Sequence, residues 1–482
     1  MLWWRVLWDR PVRWTGGHRY TKVNGVDPDP GGANAEASLE GTATAQEGRM
    51  GAPGEPSSGH PRNRQPSFRS AVLLALLIFV YVFAHVLLVL PGLDAKQSDF
   101  RAFYYPAARA VLAGRSPYSV VGLIYPPLLP FVLVPLALLP FAAARITWFA
   151  LSHVFLAAAG VRMWRALGGG WFAALAITGA CATSGALFED LGEGQVNTLL
   201  LLLAVLALWP MASKPGQGPA ALGVAIALKL WPGVILLGEA LRCRWRTVAQ
   251  ACGVALILIL VPGLFVWAVL PGPKGPPRAD FWAGSPGALN GSLPGVALRL
   301  LDRPKRGAPV PTPWVAAHNV ETFKLTRPQA AISLGVAVVL FGAGAAALAR
   351  MNRLGALASS APLLGAAFIA LTLVSAPVVW PHYHVLQIPG VAMLGERFIR
   401  RRDWRWLLVL GVATLASTWA SALLRGPYLA HFGLVVTHPL LVWTLTSLTP
   451  AGALAILLLL FAELNRDAGH PILLASTSAA KR

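Results

Sequence analysis

Long apolar runs separated by short basic or polar stretches fill the chain from about residue 70 onward. A helix needs about 20 apolar residues to cross a hydrocarbon core of about 30 Å. Runs of this length cover residues 71–90, 248–270, 331–349, 407–424 and 445–461. We therefore predict an all-α, polytopic integral membrane protein with a bundle of about 10–13 transmembrane helices.

The remaining stretches divide the chain into parts. Residues 1–69 form a basic, hydrophilic tail that is rich in Gly and Pro, and we expect it to be disordered. Residues 70–463 form the predicted transmembrane domain, with large external loops at about 91–123 and 271–327. Residues 464–482 form a predicted cytoplasmic tail.

Arginines cluster at the ends of the apolar runs, which orients the chain because basic residues concentrate on the cytoplasmic side. The clusters lie at residues 242–246, 350–353 and 397–405. Their placement puts both termini in the cytoplasm and the loops with candidate site residues outside. Arg162 and Arg165 are also expected in the cytoplasm, so the chain must cross the membrane an odd number of times between Tyr118 and Arg162. The proline-rich stretch 124–140 is either a short span or a re-entrant segment.

Composition agrees with a membrane protein, since 56% of the residues are hydrophobic and only 12% are charged. A net charge of +20 is compatible with nucleic-acid binding, but the arginines follow the positive-inside pattern and form no basic stripe with interleaved aromatics. Cys181, Cys243 and Cys252 have neither metal-ligand nor disulfide-framework spacing.

Ionisable residues beside apolar runs are costly, so they mark functional sites more often than they do in soluble proteins. Asp99 follows the first run and is itself followed by Arg101, Tyr104 and Tyr105. The apolar spacing of residues 103–112 predicts a short amphipathic helix on the membrane surface. Asp99 is therefore a candidate general base, with a solvated loop acid or a helix N-cap as the alternative.

Gln195 and Asn197 stand where another apolar run begins, and their amides can bind hydroxyl-rich ligands. The acids before them (Glu189, Asp190 and Glu193) are ordinary for a solvated loop.

Lys229 places an ammonium within the apolar stretch 225–233, from which its side chain does not easily reach the membrane surface. We predict a functional role for it.

His382 and His384 flank Tyr383 where a run meets the external face. Two histidines at positions i and i+2 point apart on a helix, which disfavours a shared metal site. A single histidine can bind phosphate or relay a proton. Asn290 begins an Asn-Gly-Ser sequence in the external loop, a weak signal for glycosylation.

These residues together suit a site where a lipid phosphate leaves and a hydroxyl attacks. Asp99 would accept the proton of the acceptor hydroxyl. Lys229, an arginine or His382 would neutralise the departing phosphate. The sequence contains no phosphate-binding P-loop, zinc motif or nucleophilic serine elbow, which argues against cytoplasmic nucleotide-driven chemistry.

A series of short motifs follows in a fixed order. DFRAFYYPAARAVLAGRSPY and YPPLLPFVLVPLALLP come first, then GQVNTLLLLL, KLWPGVILL, NGSLPGVALRL and APVVWPHYHVL. This order resembles glycosyltransferase family 87 of the GT-C superfamily. Ala376, Val379 and Tyr383 depart from the last motif of the family, S-P-x-S-W-x-H-H.

The resemblance implies a GT-C-type bundle and a hexosyltransferase that depends on a polyprenyl-phosphate sugar, in the best-known relatives polyprenol-phosphate-mannose. Transfer would go to a lipid or glycan hydroxyl on the extracytoplasmic side, with inversion. Asp99 aligns with the catalytic acid of the family, and Lys229, Arg101 and His382 would hold the carrier phosphate. The residues expected to contact sugar or acceptor are Gln195, Asn197, Asn290 and Tyr105. We expect no cofactor, no metal and no nucleic acid; membrane lipids, donor and acceptor are the expected partners.

Two other functions remain open. A transporter or flippase of lipid-linked sugars would use the same polar groups for binding only. Internal repeats with paired broken helices would favour transport, and the first-loop motif has no second copy in the later half. A structural subunit of an envelope assembly complex is the third possibility.

Overall fold

The computed structural model describes residues 68–90, 98–120, 122–211, 213–214, 216–276, 290–301, 325–353, 361–422 and 439–479. Within these ranges every regular element is helical, as the apolar pattern predicts. The predicted disorder of the N-terminal tail falls on residues outside these ranges, as does most of the predicted loop 271–327.

The first half of the bundle contains eight helices among the described residues. These are α1 (Phe68–Ala84), α2 (Tyr105–Leu112), α3 (Leu128–Val132), α4 (Val134–Ala137), α5 (Phe141–Ala166), α6 (Trp171–Ala182), α7 (Gly185–Glu193) and α8 (Asn197–Leu208). A π-helical turn, His85–Val89, continues α1, and another, Phe100–Tyr104, precedes α2.

Nine further helices follow in the described part of the second half. These are α9 (Gln217–Leu228), α10 (Ile235–Leu241), α11 (Trp245–Ala268), α12 (Leu293–Leu301), α13 (Arg327–Arg353), α14 (Ala361–Ser375), α15 (Ile388–Arg401), α16 (Trp404–Ala422) and α17 (Pro439–Ala479). Two 3-10 helices, Trp231–Val234 and Pro381–Gln387, precede α10 and α15.

Five of the described helices are long and apolar enough to cross a bilayer. The spans are Phe68–Leu87, Phe141–Ala166, Trp245–Ala268, Arg327–Met351 and Thr446–Asp467. Helices α6 and α7 meet at 60° and add a sixth span if they cross together. Large apolar side chains such as Phe79, Leu256 and Val338 are exposed on these helices, as expected for a surface that faces lipid. The protein is therefore a multi-pass membrane protein.

The stretch 124–140 contains only the short helices α3 and α4, so it is not a span of its own. Among the described residues between Tyr118 and Arg162, α5 is the one helix long enough to cross. This gives the odd number of crossings that the placement of Arg162 requires.

Helices α9 and α11 pack closely and run in the same direction. Gly218 near the start of α9 and Thr247 near the start of α11 line one cavity at the same end of the bundle. Farther along, a Cβ atom at Gly223 would lie 2.6 Å from Cβ of Val254. From this contact α11 continues to Ala268 whereas α9 ends at Leu228. At a rise of 1.5 Å per residue, α9 therefore stops about 13 Å before α11 does.

We predict that Gly223→Ala destabilises the protein by about 1–3 kcal/mol, because the added methyl group overpacks the α9–α11 contact. The same methyl group would also lie 2.7 Å from the carbonyl oxygen of Ala251. Thermal unfolding in detergent measures the effect. Gly253→Ala is the matched control, since a Cβ there meets nothing within 4 Å. Equal melting of the two variants would contradict the close packing.

Candidate active site

Asp99 lies at the start of the π-helical turn Phe100–Tyr104, where an N-cap residue would stand. Its side chain makes no capping hydrogen bond. Its carboxylate instead accepts a hydrogen bond from Nε2 of Gln195. The backbone N–H of Asp99 donates to Oε2 of Glu193 at 3.1 Å. The first loop is therefore held against the junction between α7 and α8, and the N-cap interpretation of Asp99 does not apply.

The junction itself depends on a glycine. Gly194 ends α7 in the left-handed region with φ of +66°, which favours glycine over residues that carry a Cβ atom. A Cβ here would lie 2.7 Å from Cβ of Phe100 and 2.8 Å from Nη1 of Arg145. No larger residue fits without moving the first loop.

Arg145 and Trp148 of α5 fix the junction from the other side. Nη2 of the buried Arg145 donates to the carbonyl oxygens of Leu191 (2.9 Å) and Gly192 (2.7 Å). The indole Nε1 of Trp148 donates to the carbonyl oxygen of Gly194 at 2.8 Å. A cation at the C-terminus of α7 also compensates the negative end of its helix dipole.

Gln195 is fully buried and orients the Asp99 carboxylate. Its Oε1 accepts hydrogen bonds from the hydroxyls of Tyr104 (2.6 Å) and Tyr125 (3.5 Å). Burial raises the pKa of Tyr104 well above its usual range, so this hydroxyl stays protonated and acts as a donor. With the amide oxygen occupied, the amide nitrogen points to Asp99.

Lys229 follows the last residue of α9 in extended conformation, with φ of −158° and ψ of 117°. Its Nζ donates to Oδ1 of Asn197 at 3.2 Å, and Nδ2 of Asn197 donates to Oδ1 of Asp190 at 2.7 Å. The ammonium lies 4.0 Å from the ring centroid of Tyr383 and 5.1 Å from that of Tyr125. Hydrogen bonding and cation–π contacts therefore compensate a charge that is only 5% exposed.

His382 extends this group of residues along the 3-10 helix Pro381–Gln387. Its Nδ1 lies 3.5 Å from Oε1 of Glu189, and its carbonyl oxygen accepts a hydrogen bond from Asn197 at 3.3 Å. His384 points to Oε1 of Gln387, 3.2 Å from its Nδ1. The two histidines have different partners, as their spacing predicts.

The structure places two of the predicted site residues, Arg101 and Tyr105, elsewhere. Arg101 is exposed and lies over the ring of Phe141, 4.8 Å from its centroid. The hydroxyl of Tyr105 donates to the carbonyl oxygen of Leu139 at 2.8 Å. Neither makes a described contact with Asp99 or Lys229.

Asn290 has a positioning role in the structure. It is fully buried, and its Nδ2 donates to the carbonyl oxygen of Pro377 at 2.8 Å. Its Oδ1 accepts a hydrogen bond from the backbone N–H of Val379 at 3.0 Å. It therefore anchors the segment that leads to His382, and its amide is not exposed for glycosylation.

Sequence reasoning missed part of this site. Glu189 and Asp190 were expected in a solvated loop, yet they lie in α7 and are 1% and 0% exposed. That expectation was wrong because α7 packs inside the bundle, a placement that local composition does not reveal. Tyr104, Tyr125 and Tyr383 form the aromatic wall of the site, and their only signal was their place in the quoted motifs.

The arrangement brings the partly buried carboxylate of Asp99 together with the buried ammonium of Lys229 and the buried amides of Gln195 and Asn197. Burial disfavours the charged form of Lys229, and the carboxylates of Asp190 and Asp99 lie close enough to oppose this effect. Such a site can accept a proton at one end and stabilise a departing anion at the other. In the described part of the chain, no three His, Cys, Asp or Glu side chains converge to bind a metal ion.

Comparison with known proteins agrees with these landmarks. The profile of glycosyltransferase family 87 matches residues 123–381, more than half of the chain. The matched range contains Gln195, Asn197 and Lys229 and ends one residue before His382; Asp99 precedes it.

The chain is also 27% identical over 331 residues to a protein of Mycobacterium tuberculosis, an alignment that covers 62% of this chain and 70% of the relative. That relative is a polyprenol-phosphate-mannose-dependent alpha-(1-2)-phosphatidylinositol mannoside mannosyltransferase. On the extent of the profile match, this chain belongs to glycosyltransferase family 87.

Proposed function

We propose that the protein transfers a hexose, first of all mannose, from a polyprenyl-phosphate sugar to a lipid or glycan hydroxyl. The transfer takes place on the extracytoplasmic side and inverts the anomeric centre. One observation carries the proposal: the Asp99 carboxylate is oriented by a buried amide within the group of residues that also holds the Lys229 ammonium.

Asp99 acts as the general base. Gln195 fixes one carboxylate oxygen, which reduces the rotational freedom that a base on a loop would otherwise have. Asp99 accepts the proton of the acceptor hydroxyl while the hydroxyl oxygen forms a bond to the anomeric carbon. The bond from that carbon to the phosphate oxygen breaks on the opposite face, which gives inversion.

Lys229 stabilises the phosphate that leaves. Its ammonium is fixed by Asn197 and by the ring of Tyr383 before any substrate binds. A preorganised cation in a site with little water stabilises developing negative charge more than the same cation in water. His382 lies on the same side of the site through its contact with Asn197.

The positions of the helix ends support the extracytoplasmic side. Asn197 begins α8, and the carbonyl oxygen of Trp209 just after its end accepts hydrogen bonds from Arg162. Arginines concentrate on the cytoplasmic side. The start of α8, with the site, then faces the extracytoplasmic side. The dependence of the mycobacterial relative on polyprenol-phosphate-mannose supports the donor class.

We expect Asp99→Asn to lower the rate of sugar transfer by about 10²–10⁴-fold, because the amide cannot accept the proton. Transfer from synthetic polyprenyl-phosphate-mannose to phospholipid glycosides by purified protein measures it. Asp403→Asn, at the start of α16, is the matched control and keeps its activity. Both variants should melt as the wild type does.

Two outcomes would count against the proposed base. Turnover that survives Asp99→Asn moves the base elsewhere, with Glu193, which contacts the backbone of Asp99, tested next. Specific binding of polyprenyl-phosphate sugars without transfer of any of them favours a transporter.

Lys229→Gln should lower kcat by about 10²-fold or more, since the leaving phosphate loses its fixed charge. The electrostatic origin is tested with donors whose phosphate leaves more easily, for which the loss should shrink. Lys274→Gln is the control, because Lys274 is exposed and donates only to carbonyl oxygens at the end of α11. An equal loss for all donors would assign Lys229 a purely structural role.

Orientation is tested with a native thiol. In a Cys181→Ser, Cys252→Ser background, the exposed Cys243 beside the arginine cluster should react with a membrane-impermeant maleimide only after the cells are opened. A cysteine at the exposed Lys274 in a chain without the native cysteines should react in intact cells. The reverse pattern would place the site in the cytoplasm.

A further inference from the structure

A cavity of about 400 Å³ lies away from the candidate active site, and the proposed transfer chemistry does not use it. Its polar and aromatic lining consists of Arg162, Arg242, Arg244, Glu239, Thr247 and Trp209. Cavities of about 300–1,000 Å³ are the usual size for small-ligand sites.

Helix geometry separates this cavity from the site. Arg145 near the start of α5 contacts the α7–α8 junction, and Arg162 near the end of α5 lines the cavity. These residues are 17 positions apart, or about 25 Å along the helix. Helix α8 likewise begins at Asn197 in the site and reaches the cavity with Leu208. The cavity and the site therefore occupy opposite ends of the same helices.

The charge around the cavity is positive. Three arginines line it and one acid, Glu239, opposes them. Glu239 pairs with Arg242 at 3.2 Å, whereas Arg244 lies 3.9 Å from it with half of its side chain exposed. Arg162 donates to the carbonyl oxygen of Trp209, an uncharged partner. With three arginines and one acid, the lining carries a net charge of +2.

The ends of nearby helices add to the positive electrostatic potential of the cavity. Helices α9, α11 and α14 all begin beside the cavity, which Gly218, Thr247 and Ala361 line. The N-terminus of a helix carries about half a positive charge and unpaired N–H groups, and it attracts anions. The C-terminal ends of α5 and α8 lie there too, and Arg162 is the residue that compensates the end of α8.

The chemistry of the lining specifies an oxyanion. Arginine forks match phosphate with paired hydrogen bonds, and basic pockets between transmembrane helices bind the head groups of anionic lipids. Trp209, an aromatic residue of the kind enriched at the level of lipid head groups, also lines the cavity.

We propose that this cavity binds the phosphate of an anionic phospholipid from the leaflet at that end of the bundle. A bound head group contacts α5, α9, α10 and α11 together through the residues that line the cavity, and thus stabilises the folded bundle. A soluble phosphate compound offers the same recognition chemistry and is separated from the lipid by the experiment.

The test uses purified full-length protein freed of lipid. Native mass spectrometry counts lipids retained, and thermal melting is followed with phosphatidylglycerol, with phosphatidylcholine and with inorganic phosphate. Phosphatidylglycerol should bind and raise the melting temperature, and phosphatidylcholine should do so weakly. Arg242→Gln with Arg244→Gln should weaken phosphatidylglycerol binding about tenfold or more, since charged hydrogen bonds to the phosphate are lost.

Arg246→Gln is the matched control, because Arg246 is exposed in the same cluster and does not line the cavity. Arg244→Gln alone avoids disturbing the Arg242–Glu239 pair if the double variant does not fold. Equal retention of both lipids, or equal losses for Arg244→Gln and Arg246→Gln, overturns the proposal. Full stabilisation by inorganic phosphate, with no gain from the lipid, overturns the lipid assignment and leaves a soluble phosphate compound as the ligand.

Discussion

The positive charge of Lys229 is the constraint on which the site depends. An ammonium that is 5% exposed must find its compensation inside the protein. Asn197 and Asp190 supply it along one direction, and the rings of Tyr383 and Tyr125 along another. Each partner comes from a different element, so one buried charge determines where α8 begins, where α9 ends and how the segment before α15 must lie.

The junction between α7 and α8 serves the carboxylate in the same way. Gly194 permits the turn that brings the buried Gln195 against the first loop, and Arg145 holds the end of α7 in place. Asp99 is nearly a hundred residues earlier in the chain, yet its backbone and side chain both attach to this junction. The proposed base and the proposed cation are therefore positioned by neighbouring turns of one substructure, not by the mobility of a loop.

The sequence predicted which polar residues are costly to bury better than it predicted where their side chains point. The runs of apolar residues located the spanning helices α1, α11 and α13 to within a turn or two in length, whereas the span α5 was not among them. The convergence of Asp99 with the buried Gln195, Asn197, Lys229 and His382 in one group follows from the cost of leaving polar groups unpaired in an apolar setting.

The cost of burying a side chain does not determine which way that side chain points. Tyr104 and Tyr105 are neighbours, but one contacts Gln195 and the other Leu139, because successive residues on a helix differ by about 100° in direction. The acids of α7 were similarly hidden, since only packing shows that their helix is inside.

Helix α9 ends at Leu228, just before Lys229, whereas the neighbouring helix α11 continues to Ala268. A sugar bound beside Lys229 would lie about 13 Å short of the C-terminal end of α11, so that this helix extends past it and shields it on one side. Wasteful hydrolysis of the donor would then be limited by the shortness of one helix, without any moving part.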